Sequence, residues 1–181
     1  MKLIAFTGPM GAGKSTAIQR LKDTHLEKKI ELVKFAAPLY DAQEFLYRRI
    51  SEVYSRPPTF VKDRKLLQWL GTEWGRSISP TLWVDLWKRE VGYIRDNYSN
   101  AVVVCDDCRF PNEGEAVKEF GGVVVQITTT KNNERIDTKS GIQNHASENG
   151  LDKNYLDYVI HNDYSLEEFH NALDEVFKNV L

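Results

Sequence analysis

The chain has 181 residues, of which 41% are hydrophobic, 11% aromatic and 28% charged; this is the composition of one folded, water-soluble domain and excludes a disordered chain. Lys and Arg total 24 against 26 Asp and Glu, a net charge of −2, so nothing in the overall balance favours nucleic acid or an anionic membrane, and any polyanion site has to be local. No apolar run approaches the ~20 residues of a membrane helix, and the first residues lack the apolar region and cleavage site of a secretory signal, so the cytoplasm is the expected location.

In chain order, residues 2–7 read as a short buried strand, and the glycine-rich segment 8–13 opens a helix over about 14–23. A second strand is expected at 31–35, and Pro38 sits in the first turn of a helix running to about Ile50. Pro57 and Pro58 break the pattern before a helix over about 62–78. Pro80 then opens a helix with Trp83, Trp87, Val91 and Ile94 at helical spacing.

Residues 101–105 are apolar throughout, as in a central parallel strand covered on both faces, and Asp106 and Asp107 stand at its carboxyl end. A short helix over 111–120 stops at Gly121 and Gly122, and a strand follows at 123–127. From 128 to 150 the chain is polar and aperiodic, longer than an ordinary connection, which suggests a functional lid. A last strand at 157–161 precedes a helix opened by the capping box of Ser165 and Glu168. Alternating strands and helices imply an α/β fold with an open parallel sheet and a ligand site beyond the strands' carboxyl ends.

Residues 8–15, GPMGAGKS, match G-x-x-x-x-G-K-[ST] in full and stand between a predicted strand and a predicted helix. Main-chain N–H groups of such a loop wrap a phosphate, Lys14 neutralises the outer phosphates, and Ser15 is placed to ligate magnesium. One of Asp106 and Asp107 is expected to reach the metal or its water shell, the other to be ancillary; Arg109 is close enough to face the same crevice. At 100° per residue, Arg64, Lys65, Gln68, Thr72 and Arg76 share a sector of the helix over 62–78, while Leu66, Leu67, Leu70 and Trp74 fall on another side. That cationic stripe reads either as a site for a small anion or as a solvated face. The four tryptophans 69, 74, 83 and 87 read as core or, with other apolar groups of 66–94, as a possible homodimer surface. The lid holds Lys131, Arg135, Lys139 and His145, cations of the kind that close over phosphates. Cys105 and Cys108 form a C-x-x-C, read here as small core residues because no second ligand pair completes a zinc site.

The motifs FTGPMGAGKST at 6–16, FAAPLYDA at 35–42, DRKLLQWLGTEWGR at 63–76, LWV at 82–84, DCRFPNE at 107–113, HASE at 145–148 and DYVIHND at 157–163 together resemble the deoxynucleoside monophosphate kinases of tailed bacteriophages, a branch of the P-loop kinases. The resemblance covers nearly the whole chain. It implies a single three-layer P-loop kinase domain with a five-stranded parallel sheet, a helical substrate-binding region over about 36–98 and a lid over about 128–150. It also implies ATP with Mg2+, a deoxynucleoside monophosphate as the small-molecule partner, no nucleic acid or membrane, and, for a viral protein, the host cytoplasm.

By the same resemblance Pro9, Met10, Gly11, Ala12, Gly13, Lys14, Ser15 and Thr16 would hold the ATP phosphates. Leu39, Tyr40, Arg64, Lys65, Gly71 and Trp83 would surround the deoxynucleotide, joined by Gln68 and Arg76 of the stripe. Asp107 and Arg109 match the acid and the arginine of the family's D-x-R, which makes Lys14, Arg109 and Asp107 the expected catalytic set and Ser15 and Asp107 the expected metal set. Tyr40 departs from a lysine in the best-known relatives, which are longer before residue 62. Two other readings remain: a P-loop kinase for another phosphorylated metabolite, such as phosphomevalonate or dephospho-coenzyme A, and a partner-activated ATPase switch.

Overall fold

The computed structural model describes residues 1–54, 62–130 and 151–181. The Pro57–Pro58 break and nearly all of the expected lid, with Lys131, Arg135, Lys139 and His145, lie outside the described residues. Strands β1 (Lys2–Thr7), β2 (Lys29–Leu32), β3 (Ala101–Cys105), β4 (Val123–Thr128) and β5 (Tyr158–His161) form one sheet in the order β2-β3-β1-β4-β5. Every pairing is parallel. The α/β expectation is therefore met, including the strand count.

Parallel strands need crossovers, and the crossovers supply the outer layers. Helices α1 (Lys14–Thr24) and α7 (Leu166–Val180) cover one face, where Ile18, Leu21, Phe169, Leu173 and Phe177 pack on Ile4, Phe6, Val104 and Val125. Helices α5 (Leu82–Asn97) and α6 (Pro111–Glu119) cover the other, where Trp87, Val91 and Val117 pack on Leu3, Ala5 and Val103. Strand β3 is buried at all positions, as its unbroken apolar run requires. Strand β1 is the central strand: β2 and β3 lie to one side of it, β4 and β5 to the other. The switch point, where open α/β sheets bind ligands, thus falls at the carboxyl ends of β1 and β3.

Helix α2 (Ala37–Tyr54) runs one turn beyond the expected Ile50. The segment expected as one helix over 62–78 is instead α3 (Arg64–Gln68), a π-helical turn (Trp69–Trp74) and α4 (Gly75–Ile78). The cause is Trp83. Its indole N–H donates to the carbonyl of Gly71 at 2.8 Å, and its ring lies where a Cβ on residue 75 would be, 2.2 Å away. With that carbonyl diverted, the Gly75 N–H reaches back five residues to Leu70. A wedge of this kind in the i→i−4 ladder is how a π-turn arises.

The inserted residue rotates everything after it by about 100°, so the stripe drawn at a regular helical period is not kept. Trp74 leaves the leucine side and is 43% exposed, and Trp69 is 51% exposed. Of the four tryptophans read as core, only Trp83 and Trp87 are buried. Trp87 stacks on Phe35 at 4.5 Å and donates to the Val33 carbonyl.

Candidate active site

The loop between β1 and α1 is shaped by three glycines with positive φ: Gly8 at 130°, Gly11 at 80° and Gly13 at 115°. Gly8 passes so close to β4 that a Cβ there would lie 2.0 Å from the Ile127 carbonyl oxygen. Gly13 caps α1 in the left-handed conformation without a side chain, and the first turn of α1 holds no acid. The positive end of the helix therefore faces the loop with no carboxylate of its own to oppose it, the arrangement that binds a phosphate. From the far end of β5, Asn162 donates its side-chain amide to the Ala12 carbonyl at 2.9 Å and fixes the loop from behind. The Lys14 ammonium reaches across the loop to the carbonyls of Gly8 and Pro9, at 2.7 and 2.8 Å.

At the end of β3 the two aspartates differ. Asp107 accepts from the main-chain N–H groups of Phe35 and Ala36, at 3.0 and 2.9 Å, and from the Cys105 thiol at 3.1 Å. It clamps the turn that leads from β2 into α2. Burial pushes its carboxyl pKa up, against those hydrogen bonds, which hold it down. Asp106 accepts from the Lys34 ammonium at 2.9 Å through Oδ2, while its Oδ1 is buried with no partner among the described residues. Burial lowers the Lys34 pKa, but the hydrogen bond and charge of Asp106 outweigh it, so Lys34 stays above its ordinary value.

The clamped turn delivers Leu39 to a cluster with Leu67 and Trp83, and a Cβ on Gly71 would touch the Leu39 side chain at 3.0 Å. Leu39, Gly71 and Trp83, expected around one ligand, are thus brought together. Tyr40 is held by Lys62, whose ammonium lies 2.9 Å from its hydroxyl. Arg64 reaches the loop itself, 3.5 Å from the Met10 sulfur, and Lys65 is exposed on α3. Arg76, expected beside Arg64, sits elsewhere: its guanidinium lies 3.9 Å from the Phe110 ring centre and bonds to Glu113 and the Pro80 carbonyl. The expected stripe is split: Arg64 and Lys65 stay on α3, with Arg64 at the loop, while Arg76 stands apart beside Phe110 and Glu113.

Sequence reasoning missed four positioning groups: Lys34, Lys62, Asn162 and Glu113. Of these only Glu113 carried a local signal, standing at the third position of a helix opened by Pro111, where a carboxylate turns back to cap the helix. Cys105 and Cys108 are buried and unbonded to each other, with thiol pKa values pushed well up by burial. That agrees with their reading as core.

A glycine-wrapped loop opening a helix, at the switch point of a β2-β3-β1-β4-β5 parallel sheet, defines a P-loop kinase fold. A dephospho-CoA kinase from Campylobacter jejuni has this fold, with a TM-score of 0.51 at 17% identity over 99% of this chain and 97% of that one. Residues 46–173 match the family model described as deoxynucleotide monophosphate kinase. A putative deoxynucleotide monophosphate kinase of Acanthamoeba polyphaga mimivirus is 31% identical over 201 residues, covering 96% of this chain and 94% of that one. The deoxynucleoside-5'-monophosphate kinase of Escherichia phage T5 is 29% identical over 111 residues, 58% of this chain and 41% of that longer protein. The chain belongs to the deoxynucleotide monophosphate kinase family, and it is a kinase of a small-molecule nucleotide. No helix among the described residues is long and apolar enough to cross a membrane.

Proposed function

We propose that the protein transfers the γ-phosphate of ATP to a deoxynucleoside monophosphate, giving the diphosphate and ADP, with Mg2+ as cofactor. The observation that carries this reading is the juxtaposition at one sheet end of the phosphate loop, the Asp106–Asp107 pair with Arg109, and the Leu39–Gly71–Trp83 cluster reached through the β2–α2 turn.

The loop's N–H groups and the amino end of α1 bind the ATP phosphates, spanning Pro9, Met10, Gly11, Ala12, Gly13, Lys14, Ser15 and Thr16. Lys14 exchanges its two carbonyl partners for phosphate oxygens. Ser15 and the aspartate pair fit a magnesium ion, since the buried, unpartnered Oδ1 of Asp106 is an oxygen suited to a metal-bound water. In departure from the expected metal set of Ser15 and Asp107, Asp106 takes the metal side, and Asp107, whose oxygens accept from Phe35, Ala36 and Cys105, the clamp on the acceptor-site turn. Bound there, the ion supplies charge neutralisation of the phosphates.

The acceptor lies over Leu39, Gly71 and Trp83, with Tyr40, Arg64, Lys65 and Gln68 at its edge. Arg109 and Arg76 approach its phosphate from the end of β3. A phosphate acceptor needs no strong base, so the rate rests on in-line placement and on charge stabilisation by Lys14 and the arginines.

The test is a screen of deoxy- and ribonucleoside monophosphates with ATP, run beside a Lys14→Ala variant. A deoxynucleotide should be phosphorylated, and the variant should lose about a thousandfold or more in turnover with its melting temperature kept. Near-parental turnover in the variant, or no nucleotide accepted by the parent, defeats the reading.

A further inference from the structure

Asn162 follows directly on β5, and its own main chain is held on both sides. Its N–H donates to the Thr128 carbonyl at 2.8 Å, and its carbonyl accepts from the Thr129 hydroxyl at 3.1 Å. The next residue, Asp163, accepts from the main-chain N–H and the hydroxyl of Thr130. The chain leaving β4 and the chain leaving β5 are thus laced together around Asn162, whose side chain projects from a fixed base.

That side chain ends on the phosphate loop, where Nδ2 donates to the Ala12 carbonyl at 2.9 Å. A carbonyl only accepts, which fixes the amide with its NH2 group toward the loop. Ala12 is fully buried and no peptide bond is cis. In a planar trans peptide the C=O and the N–H that follows it point in opposite directions. A partner on the Ala12 carbonyl at the β5 side therefore sets the direction of the Gly13 N–H, away from β5 and toward the concave side of the loop. The next peptide is held differently: the Gly13 carbonyl accepts from the Ala17 N–H at 2.9 Å, the first bond of α1, so the helix itself turns the Lys14 N–H outward. Of these two successive donors the second is aimed by α1 and the first by Asn162. The bond to the Ala12 carbonyl also polarises the peptide and strengthens its N–H as a donor. Residue 13 is glycine because of this approach: its φ is 115°, and a Cβ there would stand 2.7 Å from Nδ2 of Asn162 and 3.1 Å from the Phe169 ring.

We propose that Asn162 is a positioning residue for the donor nucleotide, holding the Ala12 carbonyl so that the Gly13 N–H on the other edge of the peptide is aimed at the α/β-phosphates of ATP. The inference rests on ATP as the phosphate donor in the reading above and is independent of which nucleotide accepts. A bond that merely satisfied a buried carbonyl would, when lost, cost stability and treat both substrates alike.

Two variants separate these roles. Asn162→Ala removes the donor and opens space, whereas Asn162→Leu removes the donor and keeps nearly the same bulk beside Phe169. Asp174→Asn is the control for stability, since it weakens the Arg20–Asp174 pair between α1 and α7 and leaves the loop untouched. Each is measured for melting temperature, for the Kd of ADP with Mg2+ by calorimetry, and for kcat and KM with ATP and with the best deoxynucleotide acceptor. Both Asn162 variants should weaken ADP binding and raise the ATP KM about fivefold or more, because one charge-assisted hydrogen bond is misaimed, with the acceptor KM within about twofold of the parent. Asp174→Asn should lower the melting temperature and keep the ADP Kd and the ATP KM within about twofold.

Parental ADP affinity in either Asn162 variant, ATP and acceptor KM values that rise together, or an equal loss of ADP affinity in Asp174→Asn each overturn the proposal. Failure of both Asn162 variants to fold assigns the amide to the fold alone and overturns it as well. If the parent binds ADP and phosphorylates no deoxynucleotide, the acceptor reading falls and the ADP measurements still decide this inference. If the parent binds no ADP, both fall.

Discussion

Gly8→Ala gives a direct test of how the phosphate loop is seated. Position 8 has φ of 130°, a region that costs an L-residue about 1–3 kcal/mol. The added Cβ would stand 2.0 Å from the carbonyl oxygen of Ile127 and 3.1 Å from its carbon. Both are main-chain atoms of β4, which is paired to β1 on one side and β5 on the other, so no flexible side chain can yield. Relief of such overpacking adds about 1–3 kcal/mol. The sum predicts a loss of at least about 2 kcal/mol, or a fall of at least about 4–8 °C in melting temperature for a chain of this length. Urea unfolding followed by tryptophan fluorescence measures it, with Trp87 as a buried reporter. Gly92→Ala is the matched control: its Cβ meets nothing within 4 Å, inside α5, and should gain about 0.5–1 kcal/mol. A Gly8→Ala variant within about 0.5 kcal/mol of the parent would refute the steric argument, since that is the range of an indifferent surface change.

The two aspartates should separate in behaviour. Asp106→Asn should raise the Mg2+ concentration needed for half-maximal rate, whereas Asp107→Asn should cost about 1–3 kcal/mol of stability, because an amide cannot accept from both Phe35 and Ala36 through both its atoms; Mg2+ titration and urea melts of both variants read the difference. Stability should fall as pH rises from about 4.5 to 7. Glu113 has a folded pKa of about 7 against a reference of 4.5, so the folded state binds more protons in that window, and the difference amounts to about 3 kcal/mol. Melting curves in that range should show the slope in the parent and lose most of it in Glu113→Gln. Asp63, Asp163 and Asp174 have lowered pKa values from their hydrogen bonds, and so act oppositely, withdrawing stability as pH falls below the ordinary carboxylate range. Finally, a thiol-titrating disulfide reagent should leave the native protein unmodified and react with Cys105 and Cys108 only on unfolding. Prompt reaction of either thiol in the native state would show that the C-x-x-C is accessible.

The sequence by itself determined the sheet, the phosphate loop and its place. Val102, Val103 and Val104 can only be buried on both faces, the glycines at 8, 11 and 13 supply the only residue type at ease with positive φ, and the order of strand, loop and helix follows from local pattern. Local pattern failed where a distant side chain intervened. Trp83 takes the Gly71 carbonyl and occupies the space beside Gly75, which turns one expected helix into three pieces and moves Arg76 from the side of Arg64 to Glu113. The same holds for the aspartates: adjacent in sequence, they are distinguished only by Phe35, Ala36 and Lys34, brought from another strand. Periodicity and turn chemistry are properties of neighbouring residues and can be read in one dimension. Which buried oxygen is satisfied and where Arg76 is held depend on contacts between residues tens of positions apart, and those exist only once the sheet has closed.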